Sequence, residues 1–482
     1  MLVSCLLVHA RALDGFFLAD DYTIIGSFWG KGARHLVGLL AADEIGGAWA
    51  ERFVRPIRPW SLALDARLWR LDPRGFHLTN LLLHGGASVL VGILVLQLGG
   101  RVLGAVLASL LFLLHPVNVE VATWVSGRDE SLACAGLLGA VACHLAAGRG
   151  RRRLWLGLGS VLFSVSLFAK EYALLLPVAF WALAVVSPPS GISRAHALRD
   201  SLSSTVPFFG IIAAFLMLRL HVSGHILGGY GAGAHATFSS GLLVDSVASF
   251  ARDLFAPLSA HPYAAVTLVL GLLVALATTS RSNAESRPRL IVFWALLWPS
   301  LFLMPTHNLA YTPRHLYISF AGIAAAFGLM LARAGEKRLT TLPALAIGGA
   351  LVGLLVPPTL AAVDDFTRMS NRCRTALSFI ELAARSMPRG DVLVLVGMPA
   401  HRTPPWGFGW SLEDALRPPF VLDAVDSRLN VIYRRQWRSE AWSAYRRRYP
   451  GRGVHAIAWN PAFLGIETLR DDGSNRLADA LR

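Results

Sequence analysis

Charged residues are scarce in this chain of 482 residues, at 16% of the total. Soluble domains carry about a quarter charged residues, so this shortage argues against a soluble protein. Hydrophobic residues make up 54% of the chain. They are concentrated in runs of about 16 to 22 residues, which are long enough to cross a bilayer as helices. The composition therefore indicates a polytopic membrane protein.

Cysteine is also scarce, with four residues and no CxxC pair or other metal-binding spacing. Cys134 and Cys143 fall inside one apolar run, which indicates packing roles. The net charge of +15 comes almost entirely from arginine. Much of it lies between apolar runs, where membrane orientation and lipid phosphates explain it. Nucleic acid is therefore rejected as a partner, and membrane lipid is expected.

About eleven apolar runs are candidate transmembrane helices. They lie near 1–18, 76–98, 100–115, 129–147, 154–169, 172–187, 205–220, 262–280, 290–305, 316–333 and 339–358. The first run is interrupted by Arg11 and Asp14. Two alternatives stay open there. One is a secretory signal peptide, although neither a basic n-region nor a small-residue cleavage site is evident. The other is a chain start placed too late.

Basic residues in short loops predict which side of the membrane is cytoplasmic. Counting the helices places the basic residues of the short loops on one side, which is therefore predicted to be the cytoplasm. They are the clusters at 149–153, 281–289 and 333–338, with Arg101, Arg194 and Arg199. The opposite side then holds a large first loop at about 19–75 and the tail. The apolar residues of 240–257 recur at helical spacing opposite charged ones, which predicts an amphipathic helix on that outer surface.

The composition changes after the last apolar run. Asp391–Met398 (DVLVLVGM) is typical of a buried strand, and a helical pattern precedes it at 371–385. We expect a transmembrane domain at 1–358 and a small soluble α/β domain at 359–482. The predicted fold class is an α-helical polytopic membrane protein with this C-terminal domain.

Ionisable residues near helix ends converge on the predicted outer face, which is a reason to consider function first. They are Asp20, Asp21, His115, Glu120, Arg128, Asp129, Lys170, Glu171, Arg314, His315 and Tyr317. Each also has a structural explanation. The Asp20–Asp21 pair could cap a helix, His115-Pro116 could end one, and Lys170-Glu171 could be an interfacial ion pair.

Six motifs occur in order between about residues 14 and 325. They are FxxxDDYxII from Phe17, RPIRPW from Arg55, DPRGFHLTNLLLH from Asp72, HPVNVEVATWVSGRDE from His115, LFAKE from Leu167 and RHLYISFAG from Arg314. Together they resemble the GT-C superfamily of membrane glycosyltransferases, and in particular the O-mannosyltransferase branch with C-terminal tetratricopeptide repeats. Those repeats are replaced here by the short tail and the first helix is short, so protein O-mannosylation is not carried over.

The resemblance implies a polyprenyl-phosphate sugar as donor, with a mannose-like hexose as one option, and an acceptor hydroxyl on a protein, glycan or lipid. It implies Asp20 as the general base and Asp21 as its orienting or metal-binding neighbour, with the reverse order open. One displacement with one base would invert the anomeric centre. The phosphate candidates are Arg58, Arg128, Lys170 and Arg314. The candidates for acceptor, donor or metal contacts are His115, Glu120, Asp129, Glu171 and Tyr317. The metal is unknown, and a divalent cation is the one open cofactor.

Three other readings stay open. A transporter would place its charges at mid-membrane, often in two related halves, whereas here they gather at one face. A flippase or ligase for lipid-linked glycans would also show arginines on the outer face, but the Asp20–Asp21 pair directly after the first helix favours a transferase. A membrane scaffold would tolerate replacement of these groups. The bias to arginine, alanine and glycine suggests a bacterial inner membrane, with the site facing the periplasm.

Overall fold

A computed structural model describes most of the chain. The described residues are 1–43, 53–148, 150–188, 191–224, 226, 248–249, 251–257, 286–303, 312–331, 341–399, 405–434, 444–445, 447–460 and 465–469. Helices dominate these residues, as the composition predicts.

The helix bounds follow the apolar runs. The α-helices are α1 Leu2–Val8, α2 Asp20–Phe28, α3 Ala33–Gly38, α4 Ile57–Trp69, α5 Pro73–Gln97, α6 Val102–Leu114, α7 Val119–Thr123, α8 Arg128–Ala147, α9 Arg152–Ala169, α10 Leu176–Val186, α11 Arg194–Ser223, α12 Ser286–Val292, α13 Trp298–Leu303, α14 Tyr317–Leu331, α15 Thr341–Ser386 and α16 Leu412–Ala415. Short 3₁₀ turns occur at Ala10–Asp14, Leu39–Ala41, Pro116–Asn118, Val125–Gly127, Glu171–Leu175, Pro313–Leu316 and Val425–Ser427, and Phe293–Leu297 is a π-helical turn.

Within the described residues, six helices are long and apolar enough to cross a membrane. A bent pair, Val102–Leu114 with Pro116–Thr123, makes a seventh if it is one span, with an angle of 56° between its parts. The protein is therefore an integral, multi-pass membrane protein. The prediction of about eleven spans remains a prediction.

The structure differs from the predicted helices at both ends of the membrane region. The predicted span at 1–18 is wrong as a continuous helix, because α1 has seven residues and a 3₁₀ turn follows it. Seven residues rise only about 10 Å, a third of the hydrocarbon thickness. The last predicted span, 339–358, corresponds to the first part of the long helix α15. This helix continues without a break to Ser386 and therefore includes the helical stretch predicted at 371–385. The predicted span at 262–280 lies outside the described residues.

The bend after α6 follows from its sequence. His115 is extended, with φ −74° and ψ 129°, because the proline ring at 116 disfavours helical geometry in the residue before it. Pro116 also lacks the N–H that would continue the hydrogen-bond ladder. The chain therefore leaves the helix axis at His115 and restarts as α7. This turn carries Glu120 and the loop at 124–127 back over the bundle.

The tail contains a four-stranded sheet with the order β2-β1-β3-β4. Its strands are β1 Val392–Val396, β2 Asn430–Arg434, β3 Val454–Asn460 and β4 Gly465–Leu469. The central strand β1 pairs in parallel with β2 and β3, and β4 is antiparallel to β3. All five residues of β1 are buried, which explains its continuous apolar run.

The two faces of the sheet join different hydrophobic clusters. Val392, Val394 and Val396 pack on one face. Leu393 and Leu395 lie on the other face, in a cluster that also contains residues of α2, of α15 and of the loop at 405–416. The start of α2, where the aspartate pair lies, is therefore covered by the C-terminal segment.

Candidate active site

The site begins at the first turn of α2. Ala19, the residue before this helix, has a φ of 44°, a value that costs a non-glycine residue energy and persists only where surrounding contacts hold it. The backbone N–H of Ala19 donates to the Gly407 carbonyl at 2.8 Å. The Trp124 indole donates to the Leu18 carbonyl at 3.2 Å. These contacts fix the direction in which the following two aspartates point.

The two aspartates have different environments. Asp21 accepts backbone hydrogen bonds on both oxygens, from Leu18 N at 2.8 Å and from Ser126 N at 2.7 Å. Burial raises the pKa of Asp21 to about 7, although these hydrogen bonds oppose the shift. Asp21 thus ties the start of α2 to the loop before α8. Its oxygens are already used by the backbone.

Asp20 is buried, and its Oδ1 has no hydrogen-bond partner among the described residues. Burial raises the pKa of Asp20, while the positive charges of Arg58 and Arg314 lower it. A buried carboxylate with an available oxygen and a raised pKa has the properties of a general base. Of the two aspartates, Asp20 is therefore the one that keeps an available oxygen among the described residues.

A group of cations surrounds Asp129 at the start of α8. Asp129 Oδ2 lies 3.4 Å from Lys170 Nζ, 3.7 Å from Arg58 Nη1 and 4.0 Å from Arg55 Nη1. All four side chains are buried. These distances exceed the roughly 2.8 Å of a direct charged hydrogen bond, so Asp129 does not saturate the three cations. We call Arg55, Arg58, Lys170 and Asp129 the basic cluster.

Carboxylates behind the basic cluster hold its cations in position. Glu171 accepts from Arg55 Nη2 and Arg219 Nη1, both at 2.8 Å. Lys170 Nζ donates to Glu130 Oε1. Burial by itself would lower the pKa of Lys170, but the charges of Asp129 and Glu130 raise it above its ordinary value. Lys170 therefore stays charged, and the cluster keeps its positive groups.

Arg314 approaches the site from the other side. Its Nη1 donates to Glu120 Oε1 at 2.8 Å, and its backbone N–H donates to the Oε2 of the same residue at 3.3 Å. The guanidinium carbon lies 5.1 Å from the Trp124 ring centre and 5.7 Å from that of Trp406. Glu120 and Arg314, which the sequence gives as candidates for different roles, thus form an ion pair, and the charge of Arg314 reaches both Asp20 and Asp129.

Arg128 is not part of this group, contrary to its predicted phosphate role. Its guanidinium is fully buried and binds Asp65 at 2.5 Å, Asn80 Oδ1 at 2.7 Å and the Phe76 carbonyl at 2.9 Å. These bonds join α8 to α4 and α5. The guanidinium is thus held among core groups of three helices, and its predicted phosphate role stays a prediction.

Tyr317 and His115 also lie outside the basic cluster. The Tyr317 hydroxyl bonds His84 Nδ1 at 2.7 Å within an aromatic group. His115 Nδ1 accepts from Val117 N, and its other ring nitrogen lies 3.2 Å from the Leu254 carbonyl. His115 holds the turn after α6 against Leu254, in the predicted outer helix at 240–257, of which residues 248–249 and 251–257 are described and helical.

The metal expectation is tested by the donor atoms. The described residues include no group of three His, Cys, Asp or Glu side chains able to hold a metal ion. His115 and Glu120, which the sequence gives as candidate metal ligands, do not fit a metal ion, since both nitrogens of His115 and both oxygens of Glu120 contact other groups. The donor atoms of the described residues therefore do not support a bound metal ion at this site.

Sequence reasoning missed several residues that the structure brings to the site. They are Arg55, Glu130, Arg219, Trp406 and Trp410. Arg219 carried a usable signal, because it is a lone arginine at the end of an apolar run, where ionisable groups are costly. Arg55 and Glu130 lie inside the quoted motifs. The two tryptophans had no local signal, since they come from the distant tail.

The fold of the chain matches a solved structure across almost its whole length. The crystal structure of ArnT from Cupriavidus metallidurans bound to undecaprenyl phosphate superimposes with a TM-score of 0.55, covering 96% of this chain and 93% of that chain at 14% identity. The resemblance to the GT-C superfamily is confirmed. No family model matches the chain.

Curated relatives agree with this resemblance. Protein O-mannosyl-transferase Tmtc1 of Drosophila melanogaster is 28% identical over 230 residues, which is 44% of this chain and 25% of that protein. Protein O-mannosyl-transferase TMTC4 of Homo sapiens is 32% identical over 145 residues, or 26% of this chain and 19% of that protein. The chain thus matches a quarter or less of the length of these relatives.

Proposed function

We propose that this protein is a membrane glycosyltransferase that moves a sugar from a polyprenyl-phosphate donor to an acceptor hydroxyl. The observation that carries the proposal is the buried Asp20, with an available carboxylate oxygen, among the charges of Arg58, Arg314 and Asp129. Such a site offers a base for the acceptor and cations for the leaving phosphate. Binding of undecaprenyl phosphate by ArnT, which has the same fold, supports a lipid phosphate as the ligand.

The proposed reaction is a single displacement. The acceptor oxygen forms a bond to the anomeric carbon, and the bond from that carbon to the phosphate oxygen breaks. The electron pair leaves with polyprenyl phosphate, and the acceptor proton passes to Asp20. Attack from the face opposite to the leaving group inverts the anomeric centre. The sugar itself, with a mannose-like hexose as one option, is not selected by any described contact.

The basic cluster is the proposed phosphate site. Arg55, Arg58 and Lys170 converge on one carboxylate oxygen of Asp129, so an anionic oxygen is stabilised at that point. The departing phosphate would interact with the same cations while negative charge develops on it. Since they are already buried and held by carboxylates, they need little rearrangement during the reaction.

The membrane placement is a further part of this proposal. We propose about eleven spans, with the arginine-rich loop at 149–153 in the cytoplasm and the site and the C-terminal α/β region on the opposite, periplasmic side. The site lies at the start of α8, and the cytoplasmic loop follows its end at Ala147. The donor would reach the basic cluster from within the bilayer.

The test compares Asp20→Asn with Asp21→Asn in purified protein. Release of polyprenyl phosphate is measured with a panel of polyprenyl-phosphate sugars and membrane extract as acceptor. We expect Asp20→Asn to reduce turnover by about 10² to 10⁴-fold, the usual contribution of a general base, with donor binding retained. Asp21→Asn keeps one acceptor oxygen and should retain more activity at equal folding.

Two results would contradict this proposal. Full turnover in Asp20→Asn would remove Asp20 as the base. If the folded protein moved the donor lipid between the two leaflets of vesicle membranes without releasing polyprenyl phosphate, the flippase hypothesis would be favoured.

A further inference from the structure

A segment of the tail is bound tightly to the catalytic helix α2. Thr23 Oγ1 donates to Ser411 Oγ at 2.8 Å and also contacts the Asp414 carboxylate. Ala19 N donates to the Gly407 carbonyl at 2.8 Å. A Cβ on Gly409 would lie 3.4 Å from Ala19 Cβ. The segment 405–414 therefore follows the first turn of α2 closely and cannot shift independently of Asp20.

Two tryptophans of this segment lie at the site. Their ring centres are 5.8 Å apart with an angle of 57° between the planes. Trp410 is 56% exposed, although its indole interacts with the buried Asp20 carboxylate. Exposing a large indole face is costly. An exposed indole beside a catalytic carboxylate is a surface available to a substrate.

The partner tryptophan has the opposite environment. Trp406 is 6% exposed, and its Nε1 is buried without a hydrogen-bond acceptor among the described residues. A buried indole N–H usually has a partner, and leaving one unpaired costs about 1–3 kcal/mol. An oxygen of a bound ligand would satisfy it. Arg314, which packs over the same ring at 5.7 Å, adds a positive charge.

We propose that Trp406 and Trp410 form the acceptor subsite and that the acceptor is a carbohydrate. The inference rests on the proposed function, because it places the hydroxyl that Asp20 would deprotonate. A sugar ring has an apolar C–H face that can cover the exposed Trp410 indole. Its ring and hydroxyl oxygens can accept from the Trp406 N–H and from the guanidinium of Arg314.

A polypeptide acceptor fits this surface less well. A serine or threonine side chain offers one hydroxyl on a short stem and has no ring face to cover an indole. The backbone of a polypeptide would require a strand edge or groove. In segment 405–414 the Gly407 carbonyl already accepts a hydrogen bond from the Ala19 N–H at the start of α2. The described contacts therefore favour a ring with several oxygens.

The experiment uses the full-length protein in detergent and two readouts. Saturation-transfer NMR measures binding of methyl glycosides and short oligosaccharides without donor. Transfer assays give KM and kcat for the same saccharides and for serine- and threonine-containing peptides. Trp410→Ala is compared with Trp410→Phe, and Trp155→Ala is the matched control, since Trp155 lies near the far end of α9 from Lys170.

We expect saccharide affinity to fall and the acceptor KM to rise by roughly tenfold in Trp410→Ala. Trp410→Phe should recover most of the loss, and Trp155→Ala should match the parent protein. Transfer to peptides alone, or an acceptor KM unchanged in Trp410→Ala, would overturn the subsite. Saccharide binding that depends on Trp410 without any donor consumption would support the subsite and refute the transferase instead.

Discussion

The Arg128–Asp65 pair allows a sharp test of whether Arg128 is structural. Arg128 is fully buried, and Asp65 is almost so. Replacing Arg128 with methionine keeps an unbranched apolar stem but shortens the side chain and removes the charge. It removes the Arg128 donors from three buried acceptors: the Asp65 carboxylate, which keeps a hydrogen bond from Thr79, the Asn80 amide oxygen, and the Phe76 carbonyl, which lies inside helix α5.

The expected cost is large. Breaking a buried ion pair by removing one partner costs about 3–5 kcal/mol, because the other charge stays buried and unpaired. Each neutral acceptor left unsatisfied adds about 1–3 kcal/mol unless water reaches it. We therefore expect Arg128→Met to destabilise the protein by at least about 3 kcal/mol. For a large domain that is a fall in apparent melting temperature on the order of 5–10 °C.

The assay is thermal unfolding in detergent, with donor binding measured on the same preparations. The matched control is Arg152→Met, because Arg152 pairs with Asp200 at 2.8 Å with both side chains about half exposed. Exposed pairs contribute about 0–1 kcal/mol. The double variant Arg128→Met/Asp65→Leu removes both charges and should recover part of the loss.

One outcome would refute this reasoning. If Arg128→Met melts like the parent but loses donor affinity, then Arg128 contacts phosphate, and the buried pair is not what holds α8 against α4 and α5. Equal shifts for Arg128→Met and Arg152→Met would also contradict it, since burial is the only basis for separating the two pairs.

Two further predictions follow from the charges of the site. Because burial raises the pKa of Asp20, the base is protonated at a higher pH than an ordinary aspartate. The acid limb of kcat/KM, measured against pH, should therefore lie above a pH of about 4. Arg58→Met removes a charge that lowers this pKa and should move the acid limb further upward, and a limb that stays in place would contradict the assignment. Glu171→Gln weakens the ion pairs that position Arg55 and Arg219. The misplaced cations should reduce the rate of polyprenyl phosphate release by roughly tenfold or more. The control is Glu381→Gln, which alters an exposed pair with Arg385, and equal activity of the two variants would contradict the role of Glu171.

The membrane helices could be predicted from the sequence because the signal is local. A lipid-exposed segment must satisfy its own backbone hydrogen bonds and cover them with apolar side chains, so each helix carries its own hydrophobic run. The strand β1 was predictable for a similar reason, since a central parallel strand is apolar on both faces. The first predicted span failed because apolar composition alone does not show that the chain leaves the helix after Val8.

The site was predictable only in part. Motifs brought attention to Asp20, Asp21, Arg58, Lys170 and Arg314, but residue type could not separate Asp20 from Asp21. That distinction comes from the Ser126 N–H, more than a hundred residues away, which binds Asp21. Arg128 lies beside Asp129 in one motif, yet the two side chains point to different partners.

The sequence by itself determined that this protein crosses a membrane many times and carries GT-C-like motifs, because hydropathy and motif order are properties of neighbouring residues. Only the tertiary structure decided which carboxylate keeps an available oxygen, which arginines surround Asp129, and that Trp410 of the tail lies beside Asp20 while Trp406 lies under Arg314. The reason is that the stability of a buried charge or indole N–H depends on partners supplied by distant segments, and those partners are defined only when the helices and the tail pack together.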